Sequence, residues 1–111
     1  MTEKLRPEVK KLWLNALRSG DYQQGHNRLC DTVKGVNKFC CLGVLDDLYK
    51  KENPKYIRTD QYYLTTEVQN WAFEDTEKLL KNPSVNDVTL SQMNDTGSSF
   101  NEIAQVIENN M

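Results

Sequence analysis

Four side chains with soft or nucleophilic chemistry crowd one short region: His26, Cys30, Cys40 and Cys41. Zinc takes four such ligands in a tetrahedron, usually supplied by pairs of the C-x2-C kind. The spacing here is H-x3-C-x9-C-C. Neighbouring cysteines point in different directions on a strand or helix, so Cys40 and Cys41 do not converge on one ion, and no metal site is expected. The same residues could instead supply a thiol–imidazole pair. His26 is the only histidine and would have to be the base. The thiol would be Cys30, Cys40 or Cys41, active only as thiolate. The plainer reading makes Cys41 a core residue and Cys40 a small buried or half-buried one, since free cysteine is among the most buried residue types.

Carboxylates offer less. Asp46 and Asp47 are adjacent on a predicted helix and face different ways, and Glu74, Asp75 and Glu77 read as a solvated cluster. Neither a G-x-x-x-x-G-K loop nor a G-x-G-x-x-G fingerprint occurs. The polar stretch 21–28, DYQQGHNR, is the most suggestive surface. Arg18, Tyr22, Gln24, His26 and Arg28 put donors and an aromatic ring beside Gly20 and Gly25, and guanidinium forks with ring faces suit phosphates and bases. With Cys40 at the adjoining strand end, these six residues are the expected ligand-binding set. No catalytic residue and no cofactor are expected.

The elements that must position them are legible in part. Pro7 suits a first helical turn. Val9, Leu12, Trp13, Ala16 and Leu17 follow at helical spacing, with Arg18 and Gly20 closing the helix. Arg28–Val33 and Val36–Cys40 read as two short strands turning at Lys34-Gly35. Cys41, Val44, Leu45 and Leu48 repeat the helical stripe, widened by Leu42 and Tyr49, until Asn53-Pro54 ends it. Gly43 within that stripe marks close approach of another backbone. Tyr56, Ile57, Tyr62 and Tyr63 lie in a β-favouring stretch. Thr66-x-x-Gln69, Thr89-x-x-Gln92 and Ser99-x-x-Glu102 are candidate capping boxes. The first opens a short helix burying Val68, Trp71 and Ala72. The second opens Leu90–Asp95, stopped by Gly97. The third opens a final helix with Phe100, Ile103, Ala104 and Ile107 on one face. Asn82-Pro83 breaks any helix in 74–89.

Composition bounds the class. The 111 residues suit one domain, 1–111, with a thin core, since 38% are hydrophobic. No apolar run approaches a membrane span, and MTEKLRPEVKK lacks the apolar region of a signal peptide. Three cysteines, an odd number, fit reduced thiols in a cytoplasm. Residues 1–58 carry 12 Lys/Arg and 7 Asp/Glu, a balance of +5. Residues 59–111 carry 2 and 9, a balance of −7, which together give −2. Halves that pack together and partly cancel are the favoured explanation. The segment Met93–Ile107 resembles the first two helices of a helix-turn-helix, of the type G-x-S-x-x-E-I-A. No recognition helix follows it and the segment is acidic, so packing is favoured over DNA binding.

Five blocks carry a wider resemblance. They are Leu12-Trp-Leu-Asn-Ala-Leu-Arg-Ser-Gly-Asp-Tyr-Gln-Gln-Gly25, Phe39-Cys-Cys-Leu-Gly-Val-Leu-Asp-Asp-Leu48, Tyr63-Leu-Thr-Thr-Glu-Val-Gln-Asn-Trp71, Asn82-Pro-Ser-Val85, and Leu90 to Glu108 with its N-D-x-G-x-S-F-x-E-I-A core. The set resembles a family of small proteins encoded by tailed bacteriophages and prophages. That family brings no activity and no catalytic residues with it. Its members often have a longer basic stretch after the Q-G step; here only Arg28 and then Lys34 remain. The resemblance implies an accessory phage protein in the host cytoplasm that works by binding. It would block a host defence or metabolic protein, or sequester a nucleotide signal.

The expectations are therefore an α+β domain, mainly helical, with three to four helices packed on a small antiparallel hairpin sheet. The function expected is non-enzymatic binding of a host protein or a small anionic, nucleotide-like ligand. A thiol enzyme and a DNA-associated regulator are the alternatives. No membrane partner is expected, and a homodimer is compatible with the surface tyrosines.

Overall fold

The computed structural model describes residues 4–74, 84–85 and 88–111. Five helices appear in chain order: α1 Pro7–Ser19, α2 Cys41–Glu52, α3 Thr66–Ala72, α4 Leu90–Asp95 and α5 Phe100–Asn110. Five short strands accompany them: β1 Gln23–Gln24, β2 Cys30–Val33, β3 Val36–Phe39, β4 Ser84–Val85 and β5 Val88–Thr89. The fold is α+β and mainly helical.

Three helices supply much of the core. On α1, Val9, Trp13 and Leu17 lie at i, i+4 and i+8, and all three are buried. Leu12, one residue off that line, is 39% exposed and sits at the edge of the stripe rather than in it. Cys41, Val44 and Leu45 of α2 and Phe100, Ile103, Ala104 and Ile107 of α5 join them, with Leu5, Leu29, Leu64, Val68, Ala72 and Leu90 from the other segments. The Trp13 indole N–H donates to the Cys41 carbonyl at 2.9 Å, which gives a buried donor its partner and fixes α1 on α2. Burial of each large apolar side chain here is worth about 1.5–3 kcal/mol.

Gly43 explains how α2 meets the sheet. A Cβ on this residue would lie 1.6 Å from the Leu29 carbonyl oxygen. The first turn of α2 therefore rests directly on the backbone of Leu29, the close approach that a glycine inside a helical stripe foretells.

The hairpin forms where the sequence places it, one or two residues shorter at each outer end. β2 and β3 pair antiparallel from Cys30↔Phe39 to Val33↔Val36. Lys34 and Gly35 both have positive φ, 51° and 78°, as a two-residue hairpin turn requires. The sheet is nevertheless mixed rather than antiparallel: β1 runs parallel to β3, with Gln23 opposite Lys38 and Gln24 opposite Phe39. Two polar residues carry no alternating pattern, so β1 leaves no trace in hydropathy.

Two other readings change. Residues 56–63 form no strand. Tyr56 turns inward, its hydroxyl donating to the buried Asp46 carboxylate at 2.8 Å, while Ile57, Tyr62 and Tyr63 stay exposed. The cap of α3 is Thr65, not Thr66; its hydroxyl accepts from the Val68 amide. Gln69 is buried instead of closing a box, and its side-chain amide donates to the Leu64 carbonyl at 2.9 Å. The caps at Thr89 and Ser99 form as read, and Ser99 with Glu102 makes a full capping box. The Asn82-Pro83 break lies outside the described residues. No helix among the described residues is long and apolar enough to cross a membrane.

Candidate functional site

The stretch after α1 does not stay together as one surface. Arg18 reaches α5, where its guanidinium meets the Glu108 carboxylate at 2.5 Å. Tyr22 turns toward α2. Its hydroxyl donates to Asp47 at 2.6 Å and accepts from the Lys51 ammonium at 2.9 Å, with the edge of Phe39 at a centroid distance of 5.1 Å. Burial, then the Asp47 hydrogen bond, raises the Tyr22 pKa. Gln24 points inward, its amide donating to Asn94 Oδ1 at 2.8 Å and to the Ser98 carbonyl at 2.7 Å. His26 is exposed. Arg18, Tyr22 and Gln24 thus turn their polar groups to contacts within the fold, and only Arg28 and Cys40 of the six expected residues share this cavity.

That cavity is a cleft of about 230 Å³ lined by Asn27, Arg28, Cys40, Tyr62, Tyr63, Ser91 and Asp95. Three contacts assemble it. The Leu29 amide donates to the Gln61 carbonyl at 2.8 Å, which sets Arg28 beside Tyr62. Asp60 Oδ1 accepts from the backbone amides of Tyr62 and Tyr63 at 2.8 and 3.1 Å, a side-chain turn that fixes the backbone at both residues. Asn27, at φ +71°, donates its amide to Asp95 Oδ1 at 2.9 Å and so ties the polar stretch to the end of α4. Asn94, fully buried, is the hub behind this wall. Its amide donates to the Gly25 carbonyl at 2.7 Å, and its oxygen accepts from Gln24 and from the Cys41 amide.

A model described as Domain of unknown function (DUF8296) matches residues 5–111. The chain belongs to the DUF8296 family. No curated protein and no solved structure matches it.

Two of the three thiols of this DUF8296 protein, Cys40 and Cys41, are poor nucleophiles where they stand, while Cys30 is half-buried on β2. Burial raises the Cys40 pKa to about 11, against the amides of Gly43 and Leu42 that pull it down. Cys41 is fully buried and pushed up further by burial and by Cys40, and its Sγ donates to the Leu90 carbonyl at 3.4 Å. Neither is a thiolate at neutral pH, and both are covered while His26 is exposed. No group of three or more His, Cys, Asp or Glu among the described residues is arranged to hold a metal ion. The helix pair α4–α5, which resembles part of a helix-turn-helix, turns the apolar face of α5 into the core.

Sequence reasoning missed Asn27, Tyr62, Tyr63, Ser91 and Asp95. The Asp60 turn was a readable signal for the tyrosines, since Asp two residues before a chain reversal bonds the backbone ahead of it. Nothing in the sequence announces that Asp95 meets Asn27.

Proposed function

We propose that this DUF8296 protein is a non-enzymatic accessory protein that acts by binding, in the cytoplasm of a host cell, as its likeness to phage and prophage proteins implies. The cleft beside Arg28 is the binding site in this reading, and a small anionic, nucleotide-like molecule is its ligand. The observation that supports it is the convergence of one guanidinium and two tyrosine rings on a small cleft whose thiol stays protonated. Guanidinium forks suit phosphate oxygens, and base faces stack on aromatic rings. A buried thiol of high pKa fits a wall of such a site better than a nucleophile, which argues against the Cys/His enzyme.

A second reading, a host protein as partner, draws on Ile57, Tyr62 and Tyr63, which are 75%, 52% and 46% exposed. Tyrosine and arginine are over-represented where protein interfaces concentrate their energy. Calorimetric titration with a nucleotide panel, alongside capture from host lysate, separates the two. Arg28→Ala is expected to weaken nucleotide binding by about tenfold or more, the loss of a charge-assisted hydrogen bond. Folded protein that retains neither a nucleotide nor a host partner overturns the binding role.

A further inference from the structure

We infer that the ligand of this cleft carries a hydrogen-bond-donating amine beside its anionic group, so that an amino-bearing nucleotide is taken and simple phosphate or polyphosphate is refused. This rests on the binding reading above and concerns the second charge in the cleft, Asp95.

Arg28 and Asp95 line the same small space, but they are held differently. Arg28 is exposed on a long side chain. Asp95 is fixed: its Oδ1 accepts from the Asn27 amide at 2.9 Å and from Asn94 Nδ2 at 3.2 Å. Asn94 is in turn locked by Gly25, Gln24 and the Cys41 amide at the start of α2. The exposed carboxylate is therefore tethered through Oδ1 to the polar stretch and to Asn94. A phosphate seated on Arg28 would share the cleft with a tethered negative charge, which opposes it.

A carboxylate can accept about four hydrogen bonds, so two of its sites remain beyond those used by Asn27 and Asn94. A ligand N–H answers them and converts the repulsion into a charge-assisted bond. Asp95 is itself exposed, so the analogue that lacks the donor is disfavoured by the negative charge it must sit beside and by the missing charge-assisted bond. The cleft lies below the roughly 300–1,000 Å³ usual for small-molecule sites, which suits one base with its phosphate rather than a dinucleotide.

Calorimetry on the full chain tests this with pairs of nucleotides that differ by the amine alone: AMP against purine riboside monophosphate, and CMP against its 4-deamino analogue, neither of which gains a ring N–H, with inorganic phosphate as competitor. At least one amine-bearing member is expected to bind about tenfold tighter than its partner, the worth of a hydrogen bond to a charged group. Inorganic phosphate should not displace it. Asp95→Asn keeps an oxygen for Asn27 and Asn94 but removes the charge, and it should erase the preference. Arg28→Ala should erase the preference for the nucleotide over its nucleoside. If wild-type protein binds both members of every pair equally, or Asp95→Asn retains the preference, this inference fails while the binding reading stands. If no nucleotide binds at all, both fall. Should Asp95→Asn melt early, the wild-type pairs decide by themselves.

Discussion

At Cys40 two forces act on one thiol. It caps α2, with Sγ accepting from the Gly43 amide at 3.4 Å, and amides of a helix start favour a thiolate. Burial is stronger, and the pKa rises from an ordinary 9.0 to about 11. The folded chain therefore holds this proton more tightly than the unfolded chain does. The stabilisation is complete below pH 9 and is lost as pH climbs toward 11, by roughly 2–3 kcal/mol. Cys40→Ser keeps an acceptor at the cap and should flatten that part of the stability–pH profile, measured by denaturant unfolding at each pH. At Gly43 the constraint is space. Gly43→Ala puts a methyl into the Leu29 carbonyl and should cost about 3 kcal/mol or more. Gly20→Ala, with φ +81° but nothing within 4 Å, should cost only the left-handed backbone, about 1–2 kcal/mol. Thermal melts of the pair distinguish contact from conformation. Gly43 was legible because a glycine has few reasons to interrupt an apolar helical stripe. Asp95 was not, because its meaning comes from Asn27, 68 positions away.

Helices declared themselves through their stripes and caps, whereas the smallest strands did not. A cap is a local bond across three residues, so Thr89 and Ser99 could be read directly. The Thr65-Thr66 pair shows the margin of that method: both offer a hydroxyl, and only the burial of Gln69 beneath Leu64 decides which one is used. Thr65→Ala should lower stability by about 1 kcal/mol, and Thr66→Ala should leave it within roughly 0.5 kcal/mol. Chemical denaturation of the two variants checks the register. β1 was invisible for another reason. Its pairing with β3 is parallel and uses Gln23 and Gln24, and neither composition nor alternation marks two polar residues as a strand. The tyrosine stretch misled in the opposite way. Its β propensity was overridden by the buried Asp46, which takes the Tyr56 hydroxyl and the Arg58 guanidinium at 2.8 and 2.9 Å.

Across the whole molecule the basic and acidic halves of the sequence meet. Lys4 pairs with Glu74 at 3.7 Å and Arg18 with the Glu108 carboxylate, while Lys10 donates to the Glu108 backbone carbonyl at 3.0 Å. These contacts are exposed, so each contributes little to stability. Arg18→Ala should change stability by less than about 1 kcal/mol and leave any nucleotide binding intact. Calorimetry on Arg18→Ala and Arg28→Ala side by side therefore asks whether the cleft, rather than the basic character of the stretch, carries recognition.

The packing of α1 on α5 also sets a schedule for synthesis. Arg18 and Glu108 are 90 positions apart, and at typical elongation rates the ribosome needs roughly 5–20 seconds to deliver the second after the first. Through that interval the face of α1 that packs on α5 has no cover, so this part of the core closes only as the last residues are delivered.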